Sequence, residues 1–239
     1  MTPATAPSFT RLALVLGLLS AVGPIAIDMY MPGLPVIAAD LGTDVGAAQQ
    51  TLVAFFLALA VGQPLYGPLA DAHGRRPPLI AGLVLFIVAG IGCVFAPDIE
   101  TLIALRFVQG FGICASAVIV RAIIRDLYTG ARAAQLLALT FLLLGISPLI
   151  APLAGTFFLA VFSWQSIFWV FAFIGALGLA LVWFLLPETL PPERRDRRSL
   201  LHAFSGYGGL LLDRRFMALT LVTGLVQTVL FSFVVGSAF

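Results

Sequence analysis

The chain has 239 residues, of which 61% are hydrophobic and 10% charged, against about 25% charged in an ordinary soluble domain. A mean hydropathy of +1.08 leaves too little polar surface to cover a water-soluble globule, and it excludes a disordered or nucleic-acid-binding chain as well. The net charge of +2 arises from 13 arginines against 11 acids, with no lysine anywhere; its size says little about partners, but the placement of the arginines says much.

Seven mostly apolar runs reach the roughly 20 residues that a membrane-spanning helix needs: 11–31, 46–66, 78–96, 101–124, 135–159, 165–186 and 216–238. None alternates polar and apolar residues as barrel strands do. The first follows Arg11, is longer than a signal-peptide core and shows no clear small-residue cleavage site before Asp28, so it is expected to be retained. Between the sixth and seventh runs lies the connection Pro187–Arg215, rich in Arg and Pro at its start, within which Ser199–Leu212 is expected to form a short amphipathic surface helix. The seventh run stops at Phe239 without flanking charge, which suggests a fragment or a truncated reading frame.

Topology follows from the arginines, which concentrate in cytoplasmic loops. Arg11 precedes the first run, Arg75 and Arg76 separate the second and third, and Arg121 and Arg125 close the fourth. Arg132 opens the fifth, and Arg194, Arg195, Arg197, Arg198, Arg214 and Arg215 fill the long connection. The alternate loops hold Asp40, Asp44, Asp98 and Glu100 and no arginine. Only Arg106 departs from this pattern, and the N-terminus is expected inside. The two cysteines, Cys93 and Cys114, both fall in apolar runs and indicate no disulfide framework.

Two ionisable residues stand within the runs. Asp28 lies near the outer end of the first, followed by Met29, Tyr30, Met31 and Pro32. Arg106 lies about five residues into the fourth. At 1.5 Å per residue both sit roughly 5–8 Å from the outer ends of their helices and can share a level in the membrane. A charge at a helix centre costs about 2.5–3.5 kcal/mol, so such groups face a cavity or a partner. The competing readings are an interfacial carboxylate solvated beside Pro32, and an arginine that is structurally paired or snorkels outward.

The stretch Gly67–Arg76 reads as an inside loop in which two glycines flank a turn, with Asp71 at its start and Arg75 and Arg76 at its end. An acid there can sit on a helix N-terminus or pair with an arginine, and His73 reads as a solvated loop residue. In the fifth run Gly145, Pro148, Pro152 and Gly155 recur at spacings of three or four on one face, where small residues allow close packing and prolines bend the axis. The fourth run has a comparable small face in Gly110, Gly112, Cys114, Ala115 and Ser116.

These residues resemble the major facilitator superfamily, and within it the Bcr/CflA-type multidrug (bicyclomycin/chloramphenicol-type) drug/proton antiporters. Gly67 to Leu79 is similar to the superfamily's loop signature G-x-L-A-D-x-x-G-R-R-x-x-L, with Ala72 where a basic residue is common. Arg106-Phe107-Val108-Gln109-Gly110-Phe111-Gly112 resembles the fourth-helix motif, whose Arg the family links to proton coupling. Pro148 to Gly155 is similar to the fifth-helix antiporter motif, with Ala154 where glycine is frequent. Asp28-Met29-Tyr30-Met31-Pro32 and Leu186-Pro187-Glu188-Thr189-Leu190 resemble markers of the subfamily.

The resemblance implies an all-α integral membrane protein of the major facilitator fold. It comprises an N-terminal six-helix half of 3+3 inverted repeats (1–186), a cytoplasmic linker (187–215) and a seventh transmembrane helix (216–239) that starts an incomplete second half. The implied function is proton-coupled efflux of drugs or other small amphipathic molecules across a bacterial inner membrane. Asp28, Arg106, Tyr30 and Gln109 are expected at a proton-coupling and substrate cavity, with Gln63, Tyr66 and Gln227 as further contacts. Gly67, Asp71, Gly74, Arg75, Arg76 and Asp126 are expected to gate, and Gly145, Pro148, Pro152 and Gly155 to form the antiporter helix. Expected partners are a drug-like small molecule, protons, the bilayer and a missing C-terminal half, with no nucleic acid.

Other classes fit less well. A retinal pigment needs a Schiff-base lysine, and a typical seven-helix receptor has its N-terminus outside. His73 and His202 are the only histidines and have no zinc-protease spacing, so no metal site, cofactor or enzyme is expected. The readings left open are a metabolite exporter or importer of the same fold, and a non-transporting fragment.

Overall fold

The computed structural model describes residues 8–196 and 208–236. The chain divides into two compact units, Met1–Arg195 and Asp196–Phe239. In the first unit, helix α1 (Phe9–Asp28) is followed by a 3-10 turn (Met31–Gly33) and a short helix α2 (Leu34–Asp40). Five long helices follow: α3 (Val45–His73), α4 (Arg76–Val94), α5 (Ile99–Leu127), α6 (Gly130–Val161) and α7 (Gln165–Leu185). A 3-10 turn, Pro192–Arg194, comes near the end of the unit. Six of these stretches, with α1 and α2 counted together as Phe9–Asp40, are long and apolar enough to cross a membrane.

In the second unit, residues 208–212 are helical and α8 spans Arg214–Gly236. Most of the surface helix expected over Ser199–Leu212, together with Arg197, Arg198 and His202, lies outside the described residues. So do the side chain of Gln227 and the last residues of the seventh run.

Polar caps set the helix starts. Ser8 accepts from Arg11 N–H at 3.4 Å, Asp44 from Ala47 N–H at 2.9 Å and Asp98 from Thr101 N–H at 2.7 Å. Each side-chain oxygen satisfies one of the amides that a first helical turn leaves unpaired. The bonds from Thr101 hold the Asp98 carboxyl below its ordinary range. A depressed carboxyl stabilises above its unfolded value, near pH 4, and that contribution is lost as pH falls through the folded value. Protection of the Thr101 amide, relative to its intrinsic exchange at the same pH, is therefore expected to fall below about pH 4 in the native chain. In Asp98→Asn, where the amide oxygen still caps, it should show no such step; hydrogen exchange checks this.

Packing centres on α5, which lies against α3 and α4, while α1 lies against α6 and α4 against α7. Exchanging the first three spans for the second three turns the α3–α5 contact into the α6–α1 contact, as expected of two three-helix repeats. Glycines permit the closest approaches. A Cβ on Gly112 would lie 2.6 Å from the Gly82 carbonyl oxygen, and one on Gly110 would lie 2.6 Å from the Phe55 carbonyl oxygen. The small face expected on this helix is therefore packed from both sides.

Two local readings are corrected. The first run is not one helix through residue 31: α1 ends at Asp28 and the chain continues through a 3-10 turn. Pro32 has no N–H to give the Asp28 carbonyl, four residues earlier, so the α-helical ladder cannot continue there. Nor is Gly67–Arg76 a loop, because α3 runs on to His73. Asp71 and Arg75, one helical turn apart, pair across that end at 2.6 Å. The reversal falls at Gly74, whose φ of +94° suits glycine.

Candidate functional site

The polar residues of the spans gather where α1 breaks. Asp28 is 6% exposed, and its Oδ2 accepts a 3.0 Å hydrogen bond from the Ser147 hydroxyl of α6. Burial replaces the reading of a solvated interfacial carboxylate. Arg106 lies about 10 Å along α5 from its start, deeper than expected, and is fully enclosed.

Its Nη1 donates to Gln109 Oε1 at 2.7 Å and its Nη2 to the Ala26 carbonyl at 3.2 Å. The guanidinium carbon stands 4.4 Å from the centre of the Tyr30 ring, 4.3 Å from Phe55 and 5.9 Å from Phe168. Ring quadrupoles offset part of the cost of burying the cation. Tyr30 is fixed by a 2.8 Å bond to Thr51 Oγ1 and by an edge contact with Phe168.

Asp28 and Arg106 therefore share a level, since Arg106 binds the carbonyl two residues before Asp28, yet they form no ion pair. Arg75 is ion-paired with Asp71 and Asp126. Arg106 Nε and Gln109 Nε2 are buried donors without an acceptor, an arrangement that is costly unless a polar partner arrives. Gln63 is exposed, and Tyr66 packs against Phe111, so the structure does not bring these two into the cluster. Ser147, Thr51, Phe55 and Phe168 were not singled out in the sequence. A serine or phenylalanine in an apolar helix carries no local signal of a partner dozens of residues away.

The second cluster lies at the arginine-rich end. Arg75 Nη1 meets Asp71 Oδ1 at 2.6 Å and its Nε meets Asp126 Oδ2 at 2.7 Å, joining α3 to the last turn of α5. Burial opposes the charge of Arg75, but its bonds to Asp126 and Asp71 outweigh that and raise its pKa above the ordinary value. A cavity of about 250 Å³ opens beside these residues, between Gly67 and Ala70 of α3 and Val118, Ile119 and Ala122 of α5. Thr189 Oγ1 also donates to Asp126, at 3.2 Å.

Glu188 closes the cluster. Its carboxylate accepts from the N–H groups of Arg75 at 2.8 Å, Arg76 at 3.1 Å and Leu190 at 3.0 Å, placing a negative charge on the N-terminus of α4. A side chain on Gly74 would collide with Glu188 and Arg195. Residues 187–195, read as the start of a linker, thus belong with the six-helix unit. Arg76 reaches the other way, donating at 2.9 Å to the Trp183 carbonyl at the end of α7. Removing these acceptors in Glu188→Ala is expected to cost about 0.5–2 kcal/mol, as for a lost helix cap. At about 2–4 °C per kcal/mol, a fall of several degrees in Tm checks it.

On α6 the buried face is Leu136, Thr140, Ser147, Ala151 and Gly155. Gly155 lies directly on the Met29 carbonyl, whereas Gly145 and Pro148 are exposed and Pro152 is half-buried. Of the antiporter-helix set only Gly155 provides the close approach expected of small residues. The other three border the packed face.

The comparisons agree with this architecture. The model of the Major Facilitator Superfamily matches residues 16–239. An uncharacterized MFS-type transporter, YdgK of Bacillus subtilis, is 39% identical over 95% of this chain and 57% of its own length. The bicyclomycin resistance protein homolog of Haemophilus influenzae is 35% identical over 76% of this chain and 46% of its own. The multidrug transporter MdfA of Yersinia pestis is 32% identical over 89% and 52%.

The chain thus spans about half the length of the curated relatives it matches. The structure of the human organic anion transporter MFSD10 superposes with a TM-score of 0.64 at 19% identity, covering 82% of this chain and 51% of that one. This likeness is one of fold. Six apolar spans in this packing, a family model that runs over nearly the whole chain and relatives above 30% identity give one answer: the chain is a multi-pass membrane protein and belongs to the Major Facilitator Superfamily.

Proposed function

We propose that this chain serves proton-coupled efflux of drugs or other small amphipathic molecules by alternating access, in a bacterial inner membrane with the N-terminus inside. The observation that carries the reading is the buried Asp28 at the break of α1, on a level with the enclosed Arg106. A carboxylate held out of water, with a serine hydroxyl as its hydrogen-bond partner, can exist charged or protonated. A proton and a substrate then compete for it, and each occupied state favours one orientation of the transporter. The names of the relatives, a bicyclomycin resistance homolog and a multidrug transporter, support drugs as the substrate class. In this reading Asp71, Arg75 and Asp126 lock one orientation at the cytoplasmic face.

The test is export of a fluorescent lipophilic dye from cells that express the chain and lack their own exporters, with and without a proton uncoupler. Export that stops with the uncoupler is expected, and export indifferent to it overturns proton coupling. A second reading rests on the share of the relatives' length that the chain matches. Here the six-helix unit works only together with a complementary half. Export that appears only when the second half of a relative is co-expressed distinguishes it.

A further inference from the structure

We propose that Ser147 is a positioning residue for Asp28, and that their hydrogen bond transmits the charge state of the carboxylate to α6. The proposal rests on the reading of Asp28 as the proton-binding group. Both side chains are buried, at 6% and 5% exposure, and 119 residues separate them in the chain. Asp28 is the last residue of α1, next to a turn whose backbone is free of the α-helical ladder. Ser147 lies on the packed face of α6, between Leu143, which fills the space beside Gly17, and Gly155, which rests on the Met29 carbonyl. Ser147 is the one described side chain that hydrogen-bonds Asp28.

A hydroxyl bound to an ionised carboxylate makes a bond about twice as strong as one between neutral groups. Protonation of Asp28 removes that advantage and loosens α6 from the break in α1. No other charge facing Asp28 duplicates the link. On α6 the one charged residue, Arg132, lies about 22 Å away along the axis, and α7 has no ionisable residue. From α5, Arg106 is engaged with Ala26, Gln109 and the aromatic rings. From α1's own turn, Tyr30 is bonded to Thr51 of α3, while α4 contributes Cys93, whose thiol is buried. On its other side α6 is free to respond: Leu149 and Leu153 are 70% and 72% exposed.

The experiment uses the full chain in phospholipid vesicles, with an environment-sensitive maleimide on Ile150→Cys. That position is 60% exposed on the surface of a spanning helix and is labelled with a lipid-permeable maleimide, while Cys93 and Cys114 are fully buried in the packing and shielded from it. Fluorescence is followed between pH 5 and pH 9, and infrared difference spectra record the carboxylic acid C=O band that disappears in Asp28→Asn. The native chain is expected to show a pH-dependent fluorescence change, lost in Asp28→Asn and in Ser147→Ala and recovered in Ser147→Thr. The C=O band should move to higher frequency in Ser147→Ala alone. A native-like fluorescence change in Ser147→Ala overturns the proposal while leaving Asp28 as the proton site. A native-like change in Asp28→Asn overturns the reading of Asp28 itself, and the proposal with it. A native chain with no change refutes transmission to α6.

Discussion

Asp28→Asn is expected to reduce proton-coupled export to the background of cells lacking the chain, while insertion and folding stay intact. The two side chains have nearly the same shape, and the amide oxygen of asparagine can still accept from Ser147. What disappears, on the proposed function, is the group that takes up and releases the coupled proton. Losing a buried charge also removes a desolvation cost rather than adding one, so the amount of protein in the membrane should not fall. Two measurements make the test: membrane abundance by immunoblot, and dye export under an imposed proton gradient. Undiminished gradient-driven export by the variant would falsify the assignment. Export lost together with the protein from the membrane would show that Asp28 acts through folding.

The second large effect concerns packing. Gly112→Leu is expected to destabilise the six-helix unit strongly, whereas Gly145→Leu, on another helix of the same unit, is expected to be tolerated. At Gly112 a Cβ would lie 2.6 Å from both the Gly82 carbonyl oxygen and the Phe86 backbone nitrogen. Backbone cannot rotate away as a side chain can, so α4 and α5 must separate. Overpacking a well-filled core costs about 1–3 kcal/mol, occasionally more, and here it acts on the helix against which α3 and α4 both lie. At Gly145 nothing lies within 4 Å of the added carbon. Size-exclusion profiles in mild detergent and thermal unfolding of both variants check this. A monodisperse Gly112→Leu with native Tm would sink the account of the interface.

How far the site was legible can be judged residue by residue. Asp28 and Arg106 stood out because an ionisable group in an apolar run is expensive and needs a reason. That Asp71 can pair with an arginine was legible, but the stretch was read as a loop; the helix that brings Asp71 and Arg75 together, one turn apart, extended further than the apolar pattern suggested. Polar residues in those last turns disguised its end, since hydropathy marks what lipid can cover and not where the backbone stops being helical.

Glu188 was visible only as part of a stretch after the sixth run. Nothing local announces that its carboxylate returns to the start of α4, more than a hundred residues back. Ser147 and Phe168 were invisible for the same reason. Their roles come from neighbours brought in by other helices, and a side chain common in apolar runs carries no trace of them.

Composition and the spacing of apolar runs were sufficient to place the chain in the membrane and to mark six of its spans. The arrangement of thirteen arginines was sufficient to divide the loops into two sets. These properties are additive along the chain: each residue contributes its own transfer free energy or charge, whatever it later touches. Partnership is not additive. That Asp28 faces Ser147 rather than Arg106, that Arg106 is enclosed by three aromatic rings, and that Glu188 caps a helix were decided by the tertiary packing of all six spans. Directional hydrogen bonds and close contacts act over about 3–4 Å, a distance set by the fold and not by position in sequence.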